Sequence, residues 1–217
     1  MLSAVIFDMD GVIIDSEPLH TRVVIDIMKD FGIDISWEDM GRFAGNTNAM
    51  LWEKLTGEYA LGMSAGELGL LQHEKNLEML SRNQDILIPG IERLLKEIKG
   101  RKIKTAIASS SNLGFIEAVV NQFELSPYFE LVVSGQEVKR GKPAPDIFIE
   151  AAKRLDVVPD RCVIIEDSKH GVKAANSAGI KVIGFINPNS GDQDLSSADI
   201  IVDSIGKINI DMMNLLL

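Results

Sequence analysis

Residues Val5-Ile6-Phe7 run apolar up to Asp8, and Asp10 and Gly11 follow at once. A short apolar run closed by a turn signal reads as a buried strand. In a sheet of parallel strands, ligands bind just beyond the carboxyl ends of the strands. Asp8 and Asp10 therefore fall where a doubly wound protein does its chemistry. Gly11 lets the chain leave the strand in a conformation that other residues resist. Two ionised carboxylates this close repel each other and need a shared proton or a cation. A hard divalent ion such as Mg²⁺ suits oxygen ligands. Taken alone, the pair is equally compatible with solvated loop aspartates.

The rest of the chain narrows the choice. The first strand covers roughly residues 3–8. Ser16-Glu17-Pro18 then reads as a helix start with a capping serine, and Leu19, Val23, Ile27 and Phe31 recur at helical spacing before Gly32. Residues 36–43, 46–56 and 64–84 read as further helices, although Gly66 and Gly69 weaken the start of the last. No strand is expected between residues 16 and 85. From Pro89 onward the pattern alternates. Helices are marked by Ile91–Ile98, by Ile116–Phe123, by Ile147–Leu155 and by the small residues up to Gly179. Between them stand apolar runs at 103–108, 131–133, 162–165, 182–186 and 200–202. Strands alternating with helices imply a mainly parallel sheet covered on both faces. The expectation is an α/β protein: a Rossmann-like doubly wound core of residues 1–15 and 86–217, interrupted by an all-helical block at 16–85. The tail from Ile205 is expected to pack on the core.

Composition excludes several partners. The formal net charge is −10, which disfavours unspecific binding to nucleic acid or an anionic membrane. Cys162 is the single cysteine, so no intrachain disulfide is possible. It lies in an apolar run and reads as a packed side chain. The first residues lack the basic and long apolar pattern of a signal peptide. No stretch approaches the ~18 apolar residues of a membrane span. A cytoplasmic monomer acting on a small molecule is expected.

The polar residues that close the strands carry the functional signal. Asp8 and Asp10 follow the first strand, Ser109 follows the run at 103–108, and Glu166 and Asp167 follow the run at 162–165. Lys142 precedes a helix in Gly141-Lys142-Pro143. Parallel strands would bring all of these to one edge. Four carboxylates against one lysine leave an excess of negative charge that calls for a divalent cation. With the cation present, an incoming phosphate is tolerated, and Ser109 and the backbone N–H groups of a helix start can donate to its oxygens. Singly, each residue has an ordinary reading. Ser109 and Asn112 suit helix capping, Lys142 suits a surface, and Glu166-Asp167 suits an acidic helix start. Their joint placement at strand ends is what favours a site.

These four motifs in this order, Asp8-Met9-Asp10-Gly11, Ser109, Lys142 and Glu166-Asp167, resemble the haloacid dehalogenase superfamily of phosphotransferases. Gly141-Lys142-Pro143-Ala144-Pro145-Asp146 and Ile165-Glu166-Asp167-Ser168 are similar to its branch of β-phosphoglucomutases and sugar-phosphate phosphatases. The helical block resembles that superfamily's cap domain, which selects the substrate. The resemblance implies that Asp8 is a nucleophile forming an aspartyl-phosphate and that Asp10 is the general acid and then base. It implies Mg²⁺ held by Asp8, the Asp10 backbone carbonyl and Asp167, with Glu166 in support. Substrate contacts are expected from Ser109, Ser110, Asn112 and Lys142 at the strand ends, and from His20, Asn48 and Lys75 in the cap.

A phosphatase and a mutase share the first half of this chemistry. His20 and Lys75, in His73-Glu74-Lys75-Asn76, are similar to the mutases. Asn48, in Gly45-Asn46-Thr47-Asn48-Ala49, stands where the mutases carry an arginine for a second phosphate, and it brings no charge. A phosphatase for a phosphorylated metabolite, a sugar phosphate in particular, is the favoured reading, with the mutase as the alternative. A phosphate-receiving signalling domain would use similar groups but needs no helical block of this size. Gly135 to Lys142 lacks P-loop spacing and has Pro143 where Ser or Thr is required. No Gly-x-Gly-x-x-Gly run follows the first strand, which disfavours a dinucleotide enzyme. A dehalogenase also falls within the superfamily, but the second aspartate and the metal-binding acids favour phosphate chemistry.

Overall fold

The computed structural model describes residues 1–43, 48–83 and 85–217. The chain divides into two compact units, Met1–Asp15 with Ile86–Leu217, and Ser16–Asp85.

The first unit is built on six parallel strands among the described residues. These are β1 (Ala4–Phe7), β2 (Lys104–Ser109), β3 (Leu131–Ser134), β4 (Cys162–Glu166), β5 (Lys181–Phe185) and β6 (Ile200–Val202). They lie in the order β3-β2-β1-β4-β5-β6. Each of β1 and β4 is buried along its whole length, as strands covered on both faces must be. Their runs of Val, Ile, Phe and Cys are therefore continuous rather than alternating. The connecting helices are α5 (Ile91–Gly100), α6 (Leu113–Gln122), α7 (Asp146–Arg154) and α8 (Lys169–Ser177). One cluster of buried residues joins Ala4 and Ile6 of β1 to Ile147, Phe148 and Ala151 of α7 and to Val172 and Ala175 of α8. Cys162 sits in this cluster, and burial followed by the charge of Asp160 raises its thiol pKa to about 11. The tail forms α9 (Ile210–Leu215). Ile205, Ile208, Ile210 and Met213 are buried, and Arg93 Nη2 donates to the Ile208 carbonyl at 2.8 Å.

The second unit holds α1 (Glu17–Asp30), α2 (Trp37–Gly41), α3 (Asn48–Glu58) and α4 (Ala65–Arg82). The helix expected over 46–56 is thus observed from Asn48, its first two residues lying outside the described ones. The helix expected over 64–84 ends at Arg82, and residue 84 is likewise outside. Gly66 and Gly69 do not prevent α4 from starting. Ser64 Oγ accepts from the Glu67 N–H, and the Glu67 carboxylate accepts from the Ser64 N–H at 2.8 Å. This reciprocal cap supplies what the glycines withhold. Ser16 is a different case. It stands at the N-cap of α1 in helical conformation and makes no capping hydrogen bond with its side chain, so the start of α1 rests on Pro18 and on the buried Leu19, Val23 and Ile27. Trp52 of α3 is fully buried and donates to Gln72 of α4 at 2.8 Å. None of the described helices is long and apolar enough to cross a membrane.

Candidate active site

The strand order reverses at β1, whose neighbours are β2 on one side and β4 on the other. Such a reversal opens a crevice beyond the carboxyl ends of the strands. Phe7 of β1 pairs with Ile165 of β4, and the Asp8 N–H donates to the Ile165 carbonyl at 3.0 Å. This register sets Asp8 level with Glu166. Asp8, Glu166 and Asp167 are all buried, and each offers a carboxylate oxygen within 4.8 Å of the others.

Lys142 reaches this group from the loop before α7. Its Nζ lies 2.7 Å from Asp8 Oδ1 and 2.7 Å from Glu166 Oε1. It also lies 5.0 Å from the centre of the Phe148 ring. The Lys142 side chain is only 6% exposed, so the surface reading of this lysine does not hold. The Lys142–Pro143 peptide is cis. Two glycines leave room for the acids. A Cβ on Gly171 would fall 1.6 Å from Glu166 Oε1, and one on Gly11 would fall 2.0 Å from Asp167 Oδ2. Gly11 also has φ +78°, a conformation that side chains resist. The Ser168 N–H donates to Glu166 Oε2 at 2.6 Å, so both Glu166 oxygens are held.

Burial dominates the electrostatics. It raises the Asp8 pKa to about 7; Lys142 opposes the shift, and Glu166 and Asp10 add to it. Burial, then the charges of Glu166 and Asp8, push Asp167 well above the carboxylate range. Burial also works against the charge of Lys142, but Asp8 and Glu166 outweigh it and hold the ammonium above its ordinary range.

Asp10 belongs to a second cluster beside the first. Ser109 Oγ donates to Asp10 Oδ2 at 3.0 Å and Ser111 Oγ at 2.7 Å. The Ser111 N–H returns to Ser109 Oγ at 3.0 Å. Ser109 is thus tied to Asp10 and does not cap α6. That capping falls to Asn112, whose Oδ1 accepts from the Phe115 N–H at 2.9 Å. Ser110 is exposed. Ser111 was not singled out from the sequence, although it lies in the same polar turn as Ser109.

The donor set fits a hard divalent cation. It is all oxygen, it is buried, and three carboxylates face one ammonium. Asp8, Glu166 and Asp167 could hold the ion. The Asp10 side chain is engaged by the two serines, which leaves its backbone carbonyl for that role.

In the helical unit His20 is half-buried near the start of α1, and its N–H donates to the Ser16 carbonyl at 2.9 Å. Lys75 of α4 pairs with Asp30 at 2.6 Å. It lines a cavity of about 190 Å³ with Val23, Asp26, Glu78, Met79 and Arg82. Asn48 is exposed at the first position of α3, and Gly45, Asn46 and Thr47 before it lie outside the described residues.

The model of the haloacid dehalogenase-like hydrolases matches residues 2–179. A probable pseudouridine-5'-phosphatase of Drosophila melanogaster is 36% identical, the match covering 92% of this chain and 88% of that protein. A phosphorylated carbohydrates phosphatase of Thermotoga maritima is also 36% identical, with 84% of each chain covered. Among solved structures, a CbbY variant from Rhodobacter sphaeroides in complex with xylulose-1,5-bisphosphate superposes with a TM-score of 0.84 at 26% identity, over 96% of this chain and 97% of that one.

Proposed function

Because the chain belongs to the haloacid dehalogenase-like hydrolase family, we propose that it is a Mg²⁺-dependent phosphatase that hydrolyses a small phosphorylated metabolite, a sugar phosphate above all, through an aspartyl-phosphate on Asp8. The observation that carries the reading is the contact of one buried ammonium with two buried carboxylates, Asp8 and Glu166, beside Asp167 at the reversal of strand order. Buried ionic groups add little to stability compared with apolar packing, so their presence here favours a chemical role. The names of two relatives at 36% identity, both phosphatases, support the substrate class.

In this reading Asp8 attacks the phosphorus of the ester. The bond from phosphorus to the leaving oxygen breaks as the bond to Asp8 forms. Asp10, steadied by Ser109 and Ser111, gives its proton to the departing alcohol. Asp10 then takes a proton from water, which attacks the aspartyl-phosphate, releasing inorganic phosphate and restoring the Asp8 carboxylate. Lys142 bonds Asp8 directly and offers charge to the phosphoryl oxygens. Ser110 and Asn112, in the turn after β2, would offer further donors, as would Ser109 on turning its hydroxyl from Asp10 to the phosphoryl oxygens. Mg²⁺, held by Asp8, Asp167 and the Asp10 carbonyl with Glu166 in support, would offset charge on the transferring group. The helical unit, through His20, Asn48 and Lys75, would choose the alcohol.

The test is incubation of the protein with Mg²⁺ and a panel of sugar and polyol phosphates, following released phosphate and isomerised sugar phosphate together. Phosphate release that stops with a chelator is the expected result. Isomerisation of β-glucose 1-phosphate to glucose 6-phosphate with little release would replace the phosphatase by a mutase.

A further inference from the structure

The loop after β5 reaches into the acidic cluster. Ser190 Oγ donates to Asp167 Oδ2. The two groups meet where residue 11 has no side chain: a Cβ on Gly11 would lie 2.0 Å from Asp167 Oδ2 and 2.9 Å from Ser190 Oγ. Glycine at position 11 thus makes room for a hydroxyl–carboxylate contact as well as for a turn.

Several bonds fix where Ser190 stands. Asn187, buried two residues after β5, donates through Nδ2 to the Gly11 carbonyl at 3.0 Å and to Asp15 Oδ1 at 3.3 Å. The Ser190 N–H donates to the Asn187 carbonyl at 3.2 Å. Gln193 closes the other side. Its Nε2 donates to the Ser190 carbonyl at 2.9 Å, and its Oε1 accepts from the Lys169 N–H at the start of α8 at 3.0 Å. The loop is therefore tied to the turn after β1 and to the helix that follows Asp167. Asp167 has no bond to Lys142 of the kind that Asp8 and Glu166 make, so its orientation depends on another donor.

We propose that Ser190 is a positioning residue that orients the Asp167 carboxylate for metal binding, with Asn187 anchoring the loop that carries it. Carboxylates that bind metals are themselves held by hydrogen bonds, and losing such a partner weakens metal binding. The hydroxyl occupies one oxygen of Asp167 and so fixes the direction of the other. This inference rests on the metal site proposed above.

The experiment is calorimetric titration of Mg²⁺ into the wild type, Ser190→Ala and Ser190→Thr, with melting curves recorded in chelator. Ser190→Ala is expected to melt with the wild type in chelator yet to bind Mg²⁺ about 10-fold more weakly or worse, and Ser190→Thr to recover most of the affinity. Ser190→Cys serves as a second variant lacking the hydroxyl should alanine impair folding. Wild-type affinity in the variants lacking the hydroxyl overturns the inference and leaves the metal site standing. A wild type that takes up no Mg²⁺ overturns both.

Discussion

Lys142 stands 2.7 Å from Asp8 and 2.7 Å from Glu166, with these side chains 6%, 9% and 0% exposed. Lys75 in the helical unit stands 2.6 Å from Asp30, with side chains 32% and 64% exposed. The distances match; the solvent does not. An exposed pair is screened and contributes about 0–1 kcal/mol. A buried group costs several kcal/mol per ion to remove from water and becomes a liability when one partner is lost. The helical unit repeats the exposed pattern, with Arg22–Asp26, Arg42–Glu58 and Arg82–Glu78 at its surface. The α/β unit concentrates its buried charge at one strand edge. In the proposed reading its acids serve the chemistry, whereas those surface pairs can change with little effect on the fold.

The largest effect is expected on turnover. Asp8→Asn should lower phosphate release by about a thousandfold or more while circular dichroism stays unchanged. Release at the wild-type rate would break the distinction between the two regions. Next comes the ammonium. Lys142→Ala leaves Asp8 and Glu166 facing each other, and denaturant titration of the metal-free protein at neutral pH should show a loss of about 3–5 kcal/mol. A loss below about 1 kcal/mol would mean that this pair behaves like an exposed one.

The same contrast has a pH dependence. The Asp8 pKa is raised from 3.8 to about 7 in the fold, chiefly by burial. Below about pH 4 both folded and unfolded chains hold the proton, and the stabilisation is fully present. As pH rises toward 7 the unfolded chain releases its proton more readily, so this contribution is lost. Asp167 shifts in the same direction. Metal-free protein should therefore lose stability between about pH 4 and 7 through these groups, and Asp8→Asn should flatten the slope. An unchanged slope in that variant would remove Asp8 from the explanation. The smallest effect belongs to the helical unit. Lys75→Ala should cost under about 1 kcal/mol and should alter the ranking of phosphate esters more than the stability. If changes at Lys75, His20 and Asn48 all leave that ranking untouched, the helical unit does not select the substrate.

The strand-end clusters were legible because each apolar run stops abruptly at a polar residue, and parallel order carries those stops to one edge. Lys142 is legible by its place in the order and by the Gly141-Lys142-Pro143 run around it, since a lysine by itself reads as a surface residue. Its burial comes from the Phe148 ring and the two acids it meets. Ser111 and Ser190 stand beyond the first polar residue that ends each apolar run, so the strand-end rule does not pick them out, and their contacts with Asp10 and Asp167 arise only in the fold. The end of the run at 182–186 is a strand end like the others, and the same rule applied there points to Asn187–Ser190. Gly171 carries no signal in the sequence because its requirement lies in the Glu166 carboxylate, not in its own backbone. Gly66 and Gly69 weaken the start of α4 in the sequence, and the Ser64–Glu67 pair restores it as a capping signal.

In the proposed mechanism Asp8 receives the phosphoryl group. The most direct measurement is to quench the protein during turnover of its best sugar phosphate, reduce it with borohydride and sequence the amino-terminal peptide by mass spectrometry. An aspartyl-phosphate is an acyl phosphate, and reduction converts it to homoserine. Homoserine at position 8 that requires both substrate and Mg²⁺ is the predicted result. An unmodified Asp8 with reduction at another carboxylate would contradict it.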